Sequence, residues 1–172
     1  MTKRLYVLVG CAGSGKSTWI KEHLHAFLGY TKVVSRDDIR FTLVKEGEEY
    51  FSKEKEVFKQ YIEGIKDGLK YCDTIIADAT HLNEASRNKL LRALGPALQD
   101  VEVDAVVIKA KLETALNQNE NRRDTRSYVP RSQIHRMYSQ QTMPTFEEGF
   151  DKIYIYQPDK VGIKYTILER SE

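Results

Sequence analysis

Apolar and polar positions fall in blocks along this chain, and the blocks change period in a regular order. Leu5 to Val9 (LYVLV) is an unbroken apolar run, the pattern of a parallel strand covered on both faces. A glycine-rich turn follows, then Ile20, Leu24, Phe27 and Leu28 at helical spacing, with Gly29 placed to stop that helix. Thr31 to Ser35 (TKVVS) reads as a short second strand, after which RDDIRFTLVKEG begins irregularly and turns helical. Phe51 to Lys70 carries Val57, Phe58, Tyr61, Ile62, Ile65 and Leu69 along one side, the signature of an amphipathic helix. Ser52 is its candidate cap, and Glu54 and Glu56 suit its first turn.

The alternation continues. DTIIADAT, residues 73–80, predicts a third strand with a polar end, and Asn83 to Leu94 a helix closed by Gly95 and Pro96. Val101 to Ile108 predicts a fourth strand and Leu112 to Leu116 a helix. Ser132 to Gln141 is expected to be helical, with Pro130 pre-organising its start. Lys152 to Tyr156 and Tyr165 to Leu168 read as two late strands around a turn at residues 157–162. Strands alternating with helices predict a three-layer α/β fold. No repeat or low-complexity linker interrupts the order, so one domain over residues 1–172 is expected. One block breaks the rhythm. NQNENRRDTRSYVP, residues 117–130, has almost no apolar content, and such a connection is long for a compact domain unless it has a task.

Composition narrows the class only modestly. A chain of 172 residues, 41% hydrophobic and 30% charged, can bury one core. With a net charge of +2, the molecule as a whole does not attract polyanions, and a nucleic-acid partner needs a local patch. Cys11 and Cys72 form neither a disulfide framework nor a zinc pattern, which points to a reducing compartment. No apolar run approaches the roughly 18 residues of a membrane span, and the start carries no cleavage signal. A cytoplasmic protein without a membrane partner is expected.

The glycine-rich turn is Gly10-x-x-x-x-Gly15-Lys16-Ser17, directly after a strand and opening a helix. That context makes it a phosphate-binding loop. Gly10, Cys11, Ala12, Gly13, Ser14 and Gly15 supply the backbone, glycines allowing the amides to approach phosphate oxygens. The helix N-terminus adds a favourable dipole. Lys16 is expected at the β- and γ-phosphates and the Ser17 hydroxyl on Mg²⁺, with Thr18 beside it. No Asn-Lys-x-Asp tetrad is present to read guanine, so ATP is the expected nucleotide.

Three further elements bear on the acceptor. Ser35-Arg36-Asp37-Asp38-Ile39-Arg40 follows the second strand, at the carboxyl edge where open α/β sheets bind ligands. Asp37 or Asp38 could orient a hydroxyl and take its proton, with Arg40 holding a substrate phosphate bidentately. Helix capping by either aspartate is the plainer alternative. Asp78 closes the third strand at the same edge, without the following acid that many motors carry; His81 reads as a turn or cap residue. Arg122, Arg123, Arg126, Arg131 and Arg136, opposed in that span only by Asp124, suggest a cationic lid over about residues 117–130. Such a lid neutralises a migrating phosphoryl group and excludes water.

Taken together, GCAGSGKSTW, SRDDIR, IIADATHLNEASR, NQNENRRDTRSYVP and IHRMY resemble the kinase domain of bacteriophage-type polynucleotide 5′-kinases over roughly residues 4–140. The resemblance implies a P-loop NTPase/kinase fold with a mostly parallel central sheet and an arginine-rich lid. It implies ATP and Mg²⁺ as cofactors, and a 5′-OH end of single-stranded or nicked DNA or RNA as acceptor. Asp37 takes the place of the general base, Arg40 of the acceptor-phosphate ligand, and Asp78 of a further active-site acid. Arg122 matches the donor-side lid arginine by its spacing from Asn119. Gln118 stands where the family often has another arginine, so Arg123 or Arg126 is expected to compensate at the nucleotide. Family members are often homo-oligomers, and a phage-encoded enzyme would act in the host cytoplasm. No Asp-x-Asp-x-Thr motif is present, so no phosphatase activity is expected. The alternatives are a kinase of a small-molecule hydroxyl and a nucleotide-binding regulatory ATPase without an acceptor.

Overall fold

The computed structural model describes residues 2–171; Met1 and Glu172, the ends of the expected domain, lie outside the described residues. In chain order the elements are β1 (Lys3–Val9), α1 (Lys16–His23), β2 (Thr31–Ser35), α2 (Arg36–Leu43), α3 (Glu54–Tyr71), β3 (Thr74–Asp78), α4 (Glu84–Leu94), β4 (Val101–Ile108), α5 (Leu112–Glu120), α6 (Arg131–Gln140), β5 (Lys152–Tyr156) and β6 (Tyr165–Glu169). The strands form one sheet in the order β2-β3-β1-β4-β5-β6, parallel except for the β5–β6 hairpin.

Alternation of side chains along β1 divides the core into two layers. Leu5, Val7 and Val9 pack with Tyr61, Ile62, Ile65 and Leu69 of α3 and with Leu90 and Leu94 of α4. Tyr6 and Leu8 face the other way, toward Trp19 of α1 and Val106, Ile108 and Tyr156 of the sheet. This is why LYVLV is apolar without a break: both of its faces are covered. A third, smaller cluster joins Cys11 of the turn after β1 to Ala115 and Leu116 of α5 and Ile134 of α6. Packing of the turn against α5 and α6 brings the segment between those helices beside the turn.

Several boundaries differ from the sequence reading. α1 ends at His23 and passes into a single 3₁₀ turn over Leu24–Ala26, so Gly29 does not stop a helix. Gly29 instead has φ +80°, and a Cβ there would lie 2.2 Å from Asp73 Oδ2, the atom that accepts from the Tyr30 amide. Ser52 does not cap α3. The helix starts at Glu54 behind Lys53, after turns in which the Lys53 ammonium donates to the Leu43 carbonyl. α5 continues through Glu120, so the first four residues of the expected 117–130 lid are helical.

One buried acid belongs to the sheet and not to the nucleotide side. Asp104 in β4 lies opposite Tyr6 and Lys152, wholly buried. Arg4 Nε is 3.9 Å away, and no group among the described residues hydrogen-bonds its carboxylate. Burial and the Glu102 charge raise it to about 7, against the pull of Arg4 and Lys152. A raised carboxyl binds more protons folded than unfolded, so stability falls as pH rises from about 4 through 7. Asp104→Asn is therefore expected to gain melting temperature on the wild type between pH 5 and pH 8. A difference that stays constant across that range, measured by thermal unfolding, refutes the assignment.

Candidate active site

The site is built where β1, β2 and β3 end. Gly10 donates its amide to the Thr80 carbonyl at 3.0 Å, and Ser14 closes a turn onto the Cys11 carbonyl at 3.2 Å. Gly13 and Gly15 have φ of +77° and +106°, left-handed backbone that lets successive amides turn toward one anion. Gly15 is the N-cap of α1, so the helix dipole points into the same space. A Cβ on Gly13 would lie 2.3 Å from the Ala115 carbonyl oxygen of α5. Gly13→Ala is thus expected to lower the melting temperature and weaken ATP binding at least tenfold, from strained φ and backbone collision together. An alanine variant with wild-type ATP affinity in calorimetric titration contradicts this.

Lys16 is half-buried, and its ammonium donates to the Gly10 and Cys11 carbonyls at 2.9 and 3.0 Å. Phosphate oxygens would compete for those same protons. Burial pushes the ammonium below its ordinary range, while Asp78 and Asp37 pull it back up and Arg122 pushes it down. The reciprocal holds at Asp78, raised by burial and by the Asp37 charge but restrained by Lys16 and the Ser35 hydroxyl. Ser35 and Asp78 are register partners across β2 and β3. Four residues singled out in the sequence (Lys16, Asp37, Asp78 and Arg122) thus share one electrostatic neighbourhood. Three come from α1, α2 and β3, and Arg122 from the loop between α5 and α6.

Ser17 and Thr18 are exposed at the start of α1. Among the described residues no cluster of three or more His, Cys, Asp or Glu could hold a metal ion. Mg²⁺ does not need one, since it keeps several waters and is commonly held through one or two protein oxygens plus phosphate. Ser17, exposed in the first turn of α1 directly after Lys16, offers one such hydroxyl oxygen.

The acceptor side departs from the simple expectation in two ways. The cap of α2 is Ser35, whose Oγ accepts from the Asp38 amide at 3.3 Å, so neither aspartate serves as cap. Asp37 remains exposed, and its Oδ1 accepts from the Tyr50 hydroxyl at 3.0 Å and from Arg40 Nη1. Arg40 is buried, and its bidentate edge is taken up by Glu54, with Nε to Oε1 at 2.5 Å and Nη2 to Oε2 at 3.0 Å. Glu54 also accepts from Arg36 at 3.0 Å. Burial works against the ionised Glu54 carboxylate, but bonds and charge from Arg40 and Arg36 hold it below its ordinary range. Arg40 is therefore a support for Asp37 in this geometry rather than an open fork for phosphate. Glu54 and Tyr50 were not singled out in the sequence; both sit in an acidic, turn-rich stretch whose pairing is set only by the fold.

In the segment between α5 and α6, Asn119 is fully buried and clamps both directions of the Val129 peptide, donating at 2.6 Å and accepting at 3.0 Å. That clamp holds residues 121–130 as a closed loop. Arg122 has no side-chain hydrogen-bond partner among the described residues, whereas Arg123 pairs with Glu120 at 2.6 Å. Arg126, expected at the nucleotide, instead donates to the Phe41 and Val44 carbonyls at 3.3 and 2.8 Å and lies 4.8 Å from the Phe41 ring centroid. It ties the loop to the C-terminal end of α2. His81 is not functional surface: it is buried at φ +41°, with Nδ1 2.6 Å from the Leu8 carbonyl and Nε2 3.2 Å from the Tyr61 hydroxyl. Burial lowers it to about 4, so near neutral pH it is an uncharged brace behind the loop.

Residues 5–144 match a family model described as an AAA domain, AAA_33. The chain belongs to this AAA-domain family. Its turn from Gly10 to Ser17, between β1 and α1, has the P-loop pattern. A protein of Autographa californica nuclear polyhedrosis virus that carries the name of a bifunctional polynucleotide kinase/RNA ligase is 29% identical over 136 residues, 72% of this chain and 19% of that protein. The fold recurs in the Pnkp1/Rnl/Hen1 RNA repair complex, with a TM-score of 0.61 and 21% identity over 81% of this chain and 44% of the other. It recurs also in Chaetomium thermophilum Kti12 in complex with ADP-AlF3, with a TM-score of 0.65 and 18% identity over 90% and 89% of the two chains. This AAA-domain chain thus spans only a fraction of the length of its viral relative. Among the described residues no helix is long and apolar enough to cross a membrane.

Proposed function

We propose that this AAA-domain protein transfers the γ-phosphoryl group of ATP to the 5′-hydroxyl of a single-stranded or nicked DNA or RNA end, in the cytoplasm, residues 1–172 forming one kinase domain. The observation that supports the reading is that Asp78, at the end of β3, and Asp37, at the start of α2, both act on the Lys16 ammonium, as does Arg122 from the loop after α5. A switch or regulatory ATPase has use for the loop but leaves Asp37 and its Arg40–Glu54–Tyr50 support idle. Similarity to a protein named for polynucleotide kinase activity supports a nucleic-acid acceptor.

In this mechanism the backbone from Gly10 to Gly15, with Thr18 alongside, cradles the phosphates, and Ser17 would hold Mg²⁺, which when bound would supply charge neutralisation to the phosphates. Asp37 accepts the proton of the attacking hydroxyl. Lys16 and Arg122 stabilise charge on the phosphoryl group in flight. Asp78 favours the charged form of Lys16 and so would keep that ammonium available to the phosphates. Arg40 positions Asp37, and the Arg126 tie keeps the arginine loop over the acceptor helix.

The test is transfer of labelled γ-phosphate from ATP to 5′-OH DNA, 5′-OH RNA and a panel of small alcohols. Oligonucleotide labelling that weakens steeply with added salt supports the proposal. Labelling of small alcohols alone makes the protein a metabolite kinase, and hydrolysis without any acceptor makes it an ATPase.

A further inference from the structure

Beside Asp37 lies a group of aromatic rings that the phosphate chemistry does not use. Phe51 is 50% exposed although it is a large apolar side chain. Its ring stands edge-on to Tyr50 at 4.7 Å, and Tyr50 meets Phe41 at 6.2 Å. The Arg40 guanidinium lies 4.7 Å from the Tyr50 ring and 5.4 Å from the Phe51 ring, and Arg126 covers Phe41. Two guanidinium groups are thus interleaved with three rings, and the Tyr50 hydroxyl at one end bonds the carboxylate of Asp37 itself. Burial and the Asp37 charge push the Tyr50 hydroxyl up to about 12, so it remains a neutral donor to that carboxylate.

Resting on the kinase reading above, we propose that Phe51, backed by Tyr50, is the stacking platform for the terminal base of the 5′-OH acceptor strand. Rings and arginines interleaved are the means by which proteins grip single-stranded nucleic acid without reading sequence, because every base offers a π-face. Tyr50 links the two ends: its hydroxyl bonds Asp37 and its ring stands 4.7 Å from that of Phe51, so a single side chain separates a hydroxyl at Asp37 from a ring for its base. Charge defines how far the strand follows this surface. Just before Tyr50 and Phe51, Glu46 and Glu49 are exposed, Glu48 is paired with Lys53 at 3.0 Å, and Lys45 is the one exposed cation of residues 44–50, so this stretch offers no cationic track for a phosphate backbone. The platform therefore takes the terminal base alone, and the rest of the strand leaves in another direction. A sugar or small alcohol acceptor, having no π-face, would gain little from Phe51.

The experiment is steady-state kinetics on 5′-OH oligonucleotides ending in a normal or an abasic nucleotide. Phe51→Ala is expected to raise KM for the normal end roughly tenfold with little change in kcat or in ATP affinity. Phe51→Trp is expected to restore or tighten it. On the abasic end the wild type should already show the raised KM, and Phe51→Ala should add nothing. Equal losses on both ends, or no loss on either, overturn the platform while leaving the kinase reading intact. Failure of the wild type to label any oligonucleotide, with ATP still bound, overturns both.

Discussion

Asp37→Asn is expected to lower phosphoryl transfer about 10²- to 10⁴-fold while ATP affinity stays near the wild-type value. The magnitude is that of removing a general base from a positioned hydroxyl. The substitution is nearly isosteric, and Asp37 is exposed at the first turn of α2, so folding does not depend on it. Its amide would keep an oxygen for the Tyr50 and Arg40 donors but could not take a proton. On the proposed reading the nucleotide is held elsewhere, by the turn from Gly10 to Gly15 and by Lys16, so binding should persist. Single-turnover transfer with preformed ATP complex separates the two quantities. Transfer within a few-fold of wild type would leave Asp37 as an electrostatic neighbour only, and the proton would have to leave through solvent.

A second comparison sharpens this one. Arg40 reaches Asp37 through Nη1, and its other edge is fixed by Glu54. If Arg40 mainly holds the carboxylate in place, weakening that support should reduce kcat more than it raises KM for the acceptor. An arginine that instead grips acceptor phosphate directly would show the opposite division.

Much of this arrangement is legible in the residues before any fold is known. LYVLV, DTIIADAT and VEVDAVVI announce buried strands because parallel strands covered on both faces cannot alternate. The loop is legible because glycine spacing and strand–turn–helix context constrain one another. Asp37 and Asp78 stand out because strand ends in such folds share one edge. What remained hidden depends on contacts distant in sequence. Nothing local in RDDIR says that Arg40 will spend its fork on Glu54, fourteen positions later, because the turns between them have no periodic signal. The Arg126 tie to Phe41 and Val44 is similar, joining elements more than eighty residues apart. Asn119 looked like spacing within a motif and is instead the buried clamp of the loop. The expected stop at Gly29 failed for the same reason: its positive φ serves the approach of Asp73 and not a helix end.

Glu148→Ala is expected to cost about 3–5 kcal/mol of stability, the usual consequence of stranding a buried charge. Arg87 in α4 is fully buried, and its five donors are all engaged. Nε reaches Glu148 Oε1 at 2.6 Å and Nη2 reaches Oε2 at 3.2 Å. The remaining bonds go to the His81 and Thr142 carbonyls at 3.1 and 3.0 Å, to the Thr142 hydroxyl and to the Met143 carbonyl. One guanidinium therefore pins residues 142–148 against the turn after β3. His81, held by that guanidinium, in turn bonds the Leu8 carbonyl two residues before Gly10. Without Glu148 the guanidinium keeps its carbonyl partners but loses its counter-charge, and solvent must enter or the segment must move. Chemical denaturation should show the loss as a lower midpoint with an unchanged slope. Replacing both partners, Arg87→Met with Glu148→Leu, should cost less than Glu148→Ala alone, because no unpaired charge is then left at this position. A double variant less stable than the single one would mean that the carbonyl bonds of Arg87, and not its ion pair, hold this end of the sheet to the phosphate loop.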